Sequence, residues 1–199
     1  MNYEIDPRNL LKLIKGRRSV RKWSDKSVEG WKVQQILEAG AYAPSGANDQ
    51  RQRFMVIRNR DIIKKICDIK KDWCIKNNPP LIMLVLFDLG SKGAKNNLRP
   101  GKVWWRLLWQ GTAASMQNMI LMAEALRLSS CWVSIALHHR VEAVRKLLGL
   151  EERYRIACSL FVGYGAATPD IETARWLGKP IKRNMSKHRI YLDERKTYR

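Results

Sequence analysis

The chain is short of the residues that would staple a fold covalently or with metal. Its four cysteines, Cys67, Cys74, Cys131 and Cys158, form no CxxC pair, and no histidine stands at ligand spacing beside them. They are expected as buried thiols, with neither metal nor disulfide. Histidines number only three, and none has an orienting partner from which a Ser-His-Asp or Cys-His arrangement could be built. The longest unbroken aliphatic run, LIMLVLF at 81–87, is too short to span a bilayer. Gln110, Gln117, Asn118, Glu124 and Arg127 break the longer apolar stretch near 107–128, so no membrane-spanning segment is expected. The opening MNYEIDPRNL lacks the basic start and apolar run of a secretory signal, and a cytoplasmic location is expected. There is no internal repeat, and GSKGAK at 90–95 lacks the Gly-Lys-Ser/Thr ending of a nucleotide P-loop.

Negative charge is also scarce. Against 38 Lys+Arg there are 18 Asp+Glu, a formal net charge of +20, which must raise the local concentration of anions. Nucleic acid, anionic membrane, nucleotide cofactors and acidic substrates are the partner classes this favours. A basic nucleic-acid-binding module would explain the charge through counterion release, yet no helix-turn-helix, zinc-finger or RNP pattern accompanies it.

What is present reads as one domain over residues 1–199, with 45% hydrophobic content to fill a core. Residues 9–15 predict a short helix. Val33, Ile36, Leu37 and Gly40 fall at helical spacing, and Pro44 and Gly46 stop that helix. FMVIR at 54–58 predicts a strand and DIIKKICDIKK a helix; LIMLVLF, apolar at every position, predicts a strand covered on both faces. The stretch from Asp88 to Lys102 reads as a loop. GTAASMQNMILMAEALRL from Gly111 predicts a long helix buried at the centre of the molecule or at a subunit interface. CWVSI, RVEAVRKLLGL and IACSLFVGYG complete a strand, an amphipathic helix and a buried strand. Residues 168–199 are polar and basic, too poor in apolar residues to fold alone, and are expected to wrap another surface.

Two short stretches carry the chemistry. RRSVRKW at 17–23 sets a serine among guanidinium forks, which suit phosphate oxygens, although a basic run alone is commonly a solvated face. APSGANDQ at 43–50 is a loop of small residues after a helix. Small residues let backbone N–H groups approach a planar ligand, and Ser45 and Asn48 add directional hydrogen bonds. The order RRSxR, helix, APSGxNxQ, followed by MQNMILMAEALRLSSCW, LLGL and FVGYG, resembles the nitroreductase family of FMN-dependent oxidoreductases from about Leu10 to Pro180.

That resemblance implies an α+β fold, a mixed, largely antiparallel sheet flanked by helices, forming a homodimer with two FMN sites at its interface. It places Arg17, Arg18 and Ser19 on the phosphate and ribityl end of FMN, and Arg21 near the pyrimidine edge of the flavin. Pro44, Ser45, Gly46 and Asn48 would reach the flavin from the partner subunit. Ser134, Ile135, Ala136 and Leu137 would lie beside the ring and its N5. LGKPI nominates Lys179 for the phosphate, with Arg175 and Arg183 as the alternatives. The implied activity is ping-pong hydride transfer through flavin N5 from NAD(P)H to an electron-poor acceptor such as a nitroaromatic or quinone, with no catalytic protein side chain. A non-catalytic flavin carrier or sensor is the other reading that keeps FMN.

The chain departs from the family pattern at Gln50-Arg51-Gln52, where Gln-Pro-Trp is common, and at Trp109, where an acidic residue commonly precedes the glycine of the central helix. Residues 88–106 would form the variable region over the flavin. His138 and His139 open a helix that reads as exposed. Trp104, Trp105 and Trp109 are expected in packing rather than in stacking on the flavin.

Overall fold

A computed structural model describes residues 6–70, 75, 77–90, 102–134 and 138–166, all within one compact unit. Of the expected site residues, Ile135, Ala136, Leu137 and Lys179 lie outside the described residues, as do Cys74 and the basic extension 168–199.

The elements run α1 (Pro7–Gly16), α2 (Gly30–Ala41), a 3-10 turn (Gly46–Asn48), β1 (Gln52–Ile57), α3 (Arg60–Lys70), β2 (Leu81–Asp88), α4 (Lys102–Ala125), β3 (Ser129–Val133), α5 (His138–Leu147) and β4 (Tyr154–Gly163). The sheet order is β1-β2-β4-β3, and all three pairings are antiparallel. Among the described residues a single bridge, Ser19 to Ser130, supplies a parallel link. No described helix is long and apolar enough to cross a membrane, and no described group of His, Cys, Asp and Glu could hold a metal.

Alternation along β2 sorts the core into two layers. Leu81, Met83 and Val85 face α2 and α4 with Ile36, Met116 and Met119, whereas Ile82, Leu84 and Leu86 face α3 and α5 with Ile63, Ile66 and Val144. This is why β2 is apolar at every position: both faces are covered, as its sequence predicts. Backbones approach closely where side chains vanish. A Cβ on Gly40 of α2 would stand 2.8 Å from Met119 of α4, and one on Gly163 would strike Pro80 and Trp23.

Two expectations, the start of the central helix and the burial of Cys67, need correction. The central helix begins at Lys102, not Gly111, so residues 102–110 form its first turns. Its tryptophans hide the helical pattern, because several face outward: Val103, Trp104 and Trp109 are exposed while Leu108, Met116 and Ala123 are buried. Burial of the helix is therefore one-sided. Cys67 is only half-buried, at the edge of the Ile63–Ile66 stripe, while Cys131 and Cys158 are buried as expected. Burial pushes the Cys158 thiol up to about 12, which keeps it protonated and inert.

α1 is the outlier in packing. Asp6 caps it by accepting from the Arg8 N–H at 2.8 Å, with Pro7 preset for the first turn. None of its residues is buried, and Leu10, Leu11 and Ile14 stand 46%, 49% and 43% exposed.

Candidate functional site

The basic cluster leaves α1 without a gap. The Arg17 N–H donates to the Leu13 carbonyl at 3.2 Å. Arg18 folds back, its Nη1 donating to the carbonyls of Lys15, Gly16 and Arg17 at 2.6, 3.2 and 2.8 Å. A helix end leaves such carbonyls without internal partners, so Arg18 caps its own helix, a job its sequence position did not reveal. The chain then lies along β3: Val20 N–H donates to the Ser130 carbonyl at 3.0 Å. Trp23 pins the far end, its N–H and carbonyl both bonded to the Asn77 amide at 2.9 and 2.7 Å. Between these anchors Arg17, Ser19 and Arg21 are half-buried. Arg21 Nη1 donates to the Ser19 carbonyl at 3.1 Å, while its Nε is buried with no acceptor among the described residues. A buried guanidinium N–H in that state is destabilising unless a ligand accepts from it.

The second stretch is a strained turn. After α2, Ala47, Asn48 and Gln50 take φ of 52°, 54° and 48°, the left-handed region that non-glycine residues enter at about 1–2 kcal/mol each. Ser45 Oγ accepts from the Gln50 N–H at 3.0 Å, and the Asn48 and Asp49 N–H groups donate to the Ser45 and Gly46 carbonyls at 3.0 and 3.1 Å. The turn rests on the first half of α4. A Cβ on Gly46 would come within 3.0 Å of Leu107, and one on Gly111 would stand 3.5 Å from the Pro44 carbonyl and collide with the Gln52 amide. Between turn and helix lies a shallow crevice open to solvent, whose walls include Ser45, Asp49, Arg51, Trp104 and Leu107. Trp105 and Trp109 instead pack edge-on against Phe87 at 6.1 and 5.0 Å.

The two stretches do not meet within one chain. The turn sits on Leu107 and Gly111, whereas Gly16 lies beside Glu124, a Cβ there standing 3.6 Å from the carboxylate. Thirteen to seventeen helical residues separate those points, about 20–25 Å at 1.5 Å per residue.

Sequence reasoning missed Lys70 and Asp88, and it singled out Arg51 without the role the fold gives it. Lys70 is 4% exposed, its Nζ donating to the Ser134 carbonyl at 3.1 Å and lying 5.2 Å from the Phe161 ring centre. The signal was available, since Lys70 continues the Ile63–Ile66 stripe at helical spacing. Asp88, also 4% exposed, closes the same end of the sheet, with Arg153 Nε and Nη2 donating to it at 2.8 and 2.7 Å. Arg51 Nε donates to both Asp49 oxygens at 2.8 and 2.7 Å. His139 is exposed at the start of α5, as its sequence suggested.

Comparison with known proteins agrees with this architecture. The model of the Nitroreductase family matches residues 14–164. A protein of Archaeoglobus fulgidus named "Putative NADH dehydrogenase/NAD(P)H nitroreductase" is 30% identical over 155 residues, 77% of this chain and 84% of that one. A protein of the same name from Methanothermobacter thermautotrophicus is 28% identical over 167 residues, 83% of this chain and 82% of its own. Among solved structures, one described as a nitroreductase in complex with FMN from Desulfovibrio desulfuricans is 28% identical, with a TM-score of 0.63 over 88% of this chain and 98% of that one. A protein of Clostridium acetobutylicum described as "Putative NADH Oxidase" is 25% identical, with a TM-score of 0.72 over 93% of this chain and 99% of that one. With most of its described core inside the matched range, the chain belongs to the nitroreductase family.

Proposed function

We propose that the chain is an FMN-dependent oxidoreductase that uses NAD(P)H to reduce an electron-poor acceptor such as a nitroaromatic or a quinone. The observation that carries this reading is the Arg17–Arg21 strip: anchored at both ends, with Arg17, Ser19 and Arg21 half-buried, and holding a buried Arg21 Nε that has no acceptor among the described residues. That donor set suits a phosphorylated, hydrogen-bond-accepting cofactor, and the relative from Desulfovibrio desulfuricans is described as binding FMN. When bound, FMN supplies hydride exchange at N5, from the nicotinamide and then to the acceptor, in two alternating half-reactions.

The chain's own residues supply position and field. Arg17 and Ser19 hold the phosphate and ribityl end, with Arg18 adding charge beside the helix terminus it caps. Arg21 sets a fixed cation at the pyrimidine edge, where reduction leaves negative charge. Pro44, Ser45, Gly46 and Asn48 offer backbone and short polar groups to the ring of a second copy. The separation of about 20–25 Å along α4 supports that arrangement, because within one chain the two stretches stand near opposite ends of the helix. The bare apolar face of α1, with Trp31 and Trp109 at 58% and 50% exposure, gives a homodimer surface to cover.

The direct test is anaerobic. Purified protein should bind about one FMN per chain, as dimer symmetry requires, and NADH or NADPH should bleach the flavin absorbance until an acceptor restores it. Protein that neither quenches FMN fluorescence nor bleaches refutes the reading; binding without bleaching leaves a carrier or sensor.

Arg21→Ala tests the electrostatic role. Removing the nearest fixed cation should lower the flavin reduction potential by tens of millivolts and slow hydride transfer with it. Potentiometric titration of the FMN-loaded variant is the measurement, and an unchanged potential means that this side chain does not face the pyrimidine edge.

A further inference from the structure

Three left-handed residues within four positions do not hold themselves, and the Ser45 hydroxyl secures only the Gln50 N–H. Asp49 stands between the left-handed Asn48 and Gln50, and its carboxylate takes Arg51 Nε on both oxygens at 2.8 and 2.7 Å. The side chains of the pair are 16% and 24% exposed for Arg51 and Asp49, so solvent screens it little. Arg51 Nη1 also donates to the Asp88 carbonyl at 3.1 Å, and the Arg51 carbonyl accepts from the Asp88 N–H at 2.9 Å. The guanidinium is thus a strut from the turn to the end of β2, the strand buried at every position.

We propose that Arg51, acting through Asp49, is a positioning residue for the cofactor: the pair holds the Ser45–Gln50 turn, with its left-handed Ala47, Asn48 and Gln50, in the form that faces the second subunit's ligand. The inference rests on the proposed function for the identity of that ligand, and on the bonds above for the rest. A planar fork is what the geometry uses. One guanidinium satisfies a carboxylate and a carbonyl in two directions, which an ammonium on a flexible stem does less well. Arg51 also forms part of the crevice wall, so a direct role in binding the acceptor is the rival account, and the experiment separates the two.

The test is a double-mutant cycle on the full-length protein, with FMN as the probe and amide hydrogen exchange as a readout that needs no turnover. Arg51→Met and Asp49→Asn should each raise the FMN Kd on the order of tenfold, and the double variant by no more than either alone, since both remove one interaction. Amides of residues 46–50 should exchange faster in each variant without FMN, while those of β2 keep their protection. Arg51→Lys, which retains charge without the fork, should fall between wild type and Arg51→Met, and serves if the methionine variant does not fold. Unchanged FMN affinity with a higher KM for the acceptor overturns the proposal in favour of the rival. Unchanged FMN affinity with a lower melting temperature overturns it in favour of a purely structural pair. Wild-type protein that binds no FMN overturns the proposed function and this inference together, whereas failure of the variants alone overturns only this one.

Discussion

Two variants that each fail to bind FMN should recover binding when co-expressed. Arg17→Ala/Arg21→Ala removes two charge-assisted bonds from the basic strip, about 3–6 kcal/mol, enough to weaken FMN binding by two to four orders of magnitude. Asn48→Trp leaves the strip intact and puts bulk on the exposed crest of the turn. If each site takes its strip from one chain and its turn from the other, a mixed dimer has one undamaged site and one damaged twice. Random pairing makes half the dimers mixed, so about one-quarter of all chains should carry FMN. If strip and turn of the same chain served one site, no pairing could restore it and the recovered fraction would stay at zero. Flavin absorbance per chain in the co-purified material decides between these outcomes. The expectation stands on the 20–25 Å that α4 puts between the two stretches within a chain.

That separation is what the sequence could not give. The identities of both stretches were legible, because cations around a serine and small residues after a helix announce anion and backbone chemistry locally. The helices and strands were legible for a similar reason: the stripe Val33–Ile36–Gly40 and the continuous run of β2 are properties of neighbouring residues. Contacts between distant positions were not. Arg51 reads as a surface cation that breaks an apolar corner, and only the fold shows its partner across 37 positions at Asp88. Arg18 reads as a phosphate ligand, and only the course of the chain after Gly16 turns it back onto its own helix. The start of α4 was misplaced because Trp104 and Trp109 sit on its open side, so the apolar pattern that marks a helix has no polar face to stand against.

Asp88→Asn should be the most damaging single change in the sheet. The carboxylate is held by Arg153 on both oxygens, by Arg53 Nη2 at 3.3 Å and by the Gly90 N–H at 3.0 Å, with its side chain 6% exposed. Asparagine keeps the shape, but it turns an NH₂ group toward a guanidinium and removes the negative charge that Asp88 sets against Arg153 and Arg53. Breaking a fully buried pair this way typically costs about 3–5 kcal/mol. Arg153 and Arg53 remain 26% and 48% exposed, so solvent relieves part of that, and we expect about 2–3 kcal/mol in urea or thermal unfolding. Burial acts to raise the Asp88 pKa, but the Arg153 and Gly90 hydrogen bonds and the charges of both arginines outweigh it, and the carboxyl titrates below its ordinary 3.8. A depressed folded-state pKa contributes stability above the unfolded value and loses it as pH falls through the folded one. The gap between wild type and Asp88→Asn should therefore be constant through neutral pH and close only below about pH 4. A gap that is absent at pH 7, or that widens in acid, would mean the pair does not stabilise the folded chain.

The 24-residue span of α4 also restricts which length changes the protein can accumulate. Inserting or deleting one residue between Leu107 and Glu124 would turn everything beyond it by about 100° and shift it by about 1.5 Å. The turn on one side and the strip on the other would lose their common frame, and in the proposed dimer both cofactor sites would be lost at once. A similar change in a surface loop leaves that frame alone. In this chain the central helix acts as a ruler, and its length is as much a part of the site as any side chain that faces it.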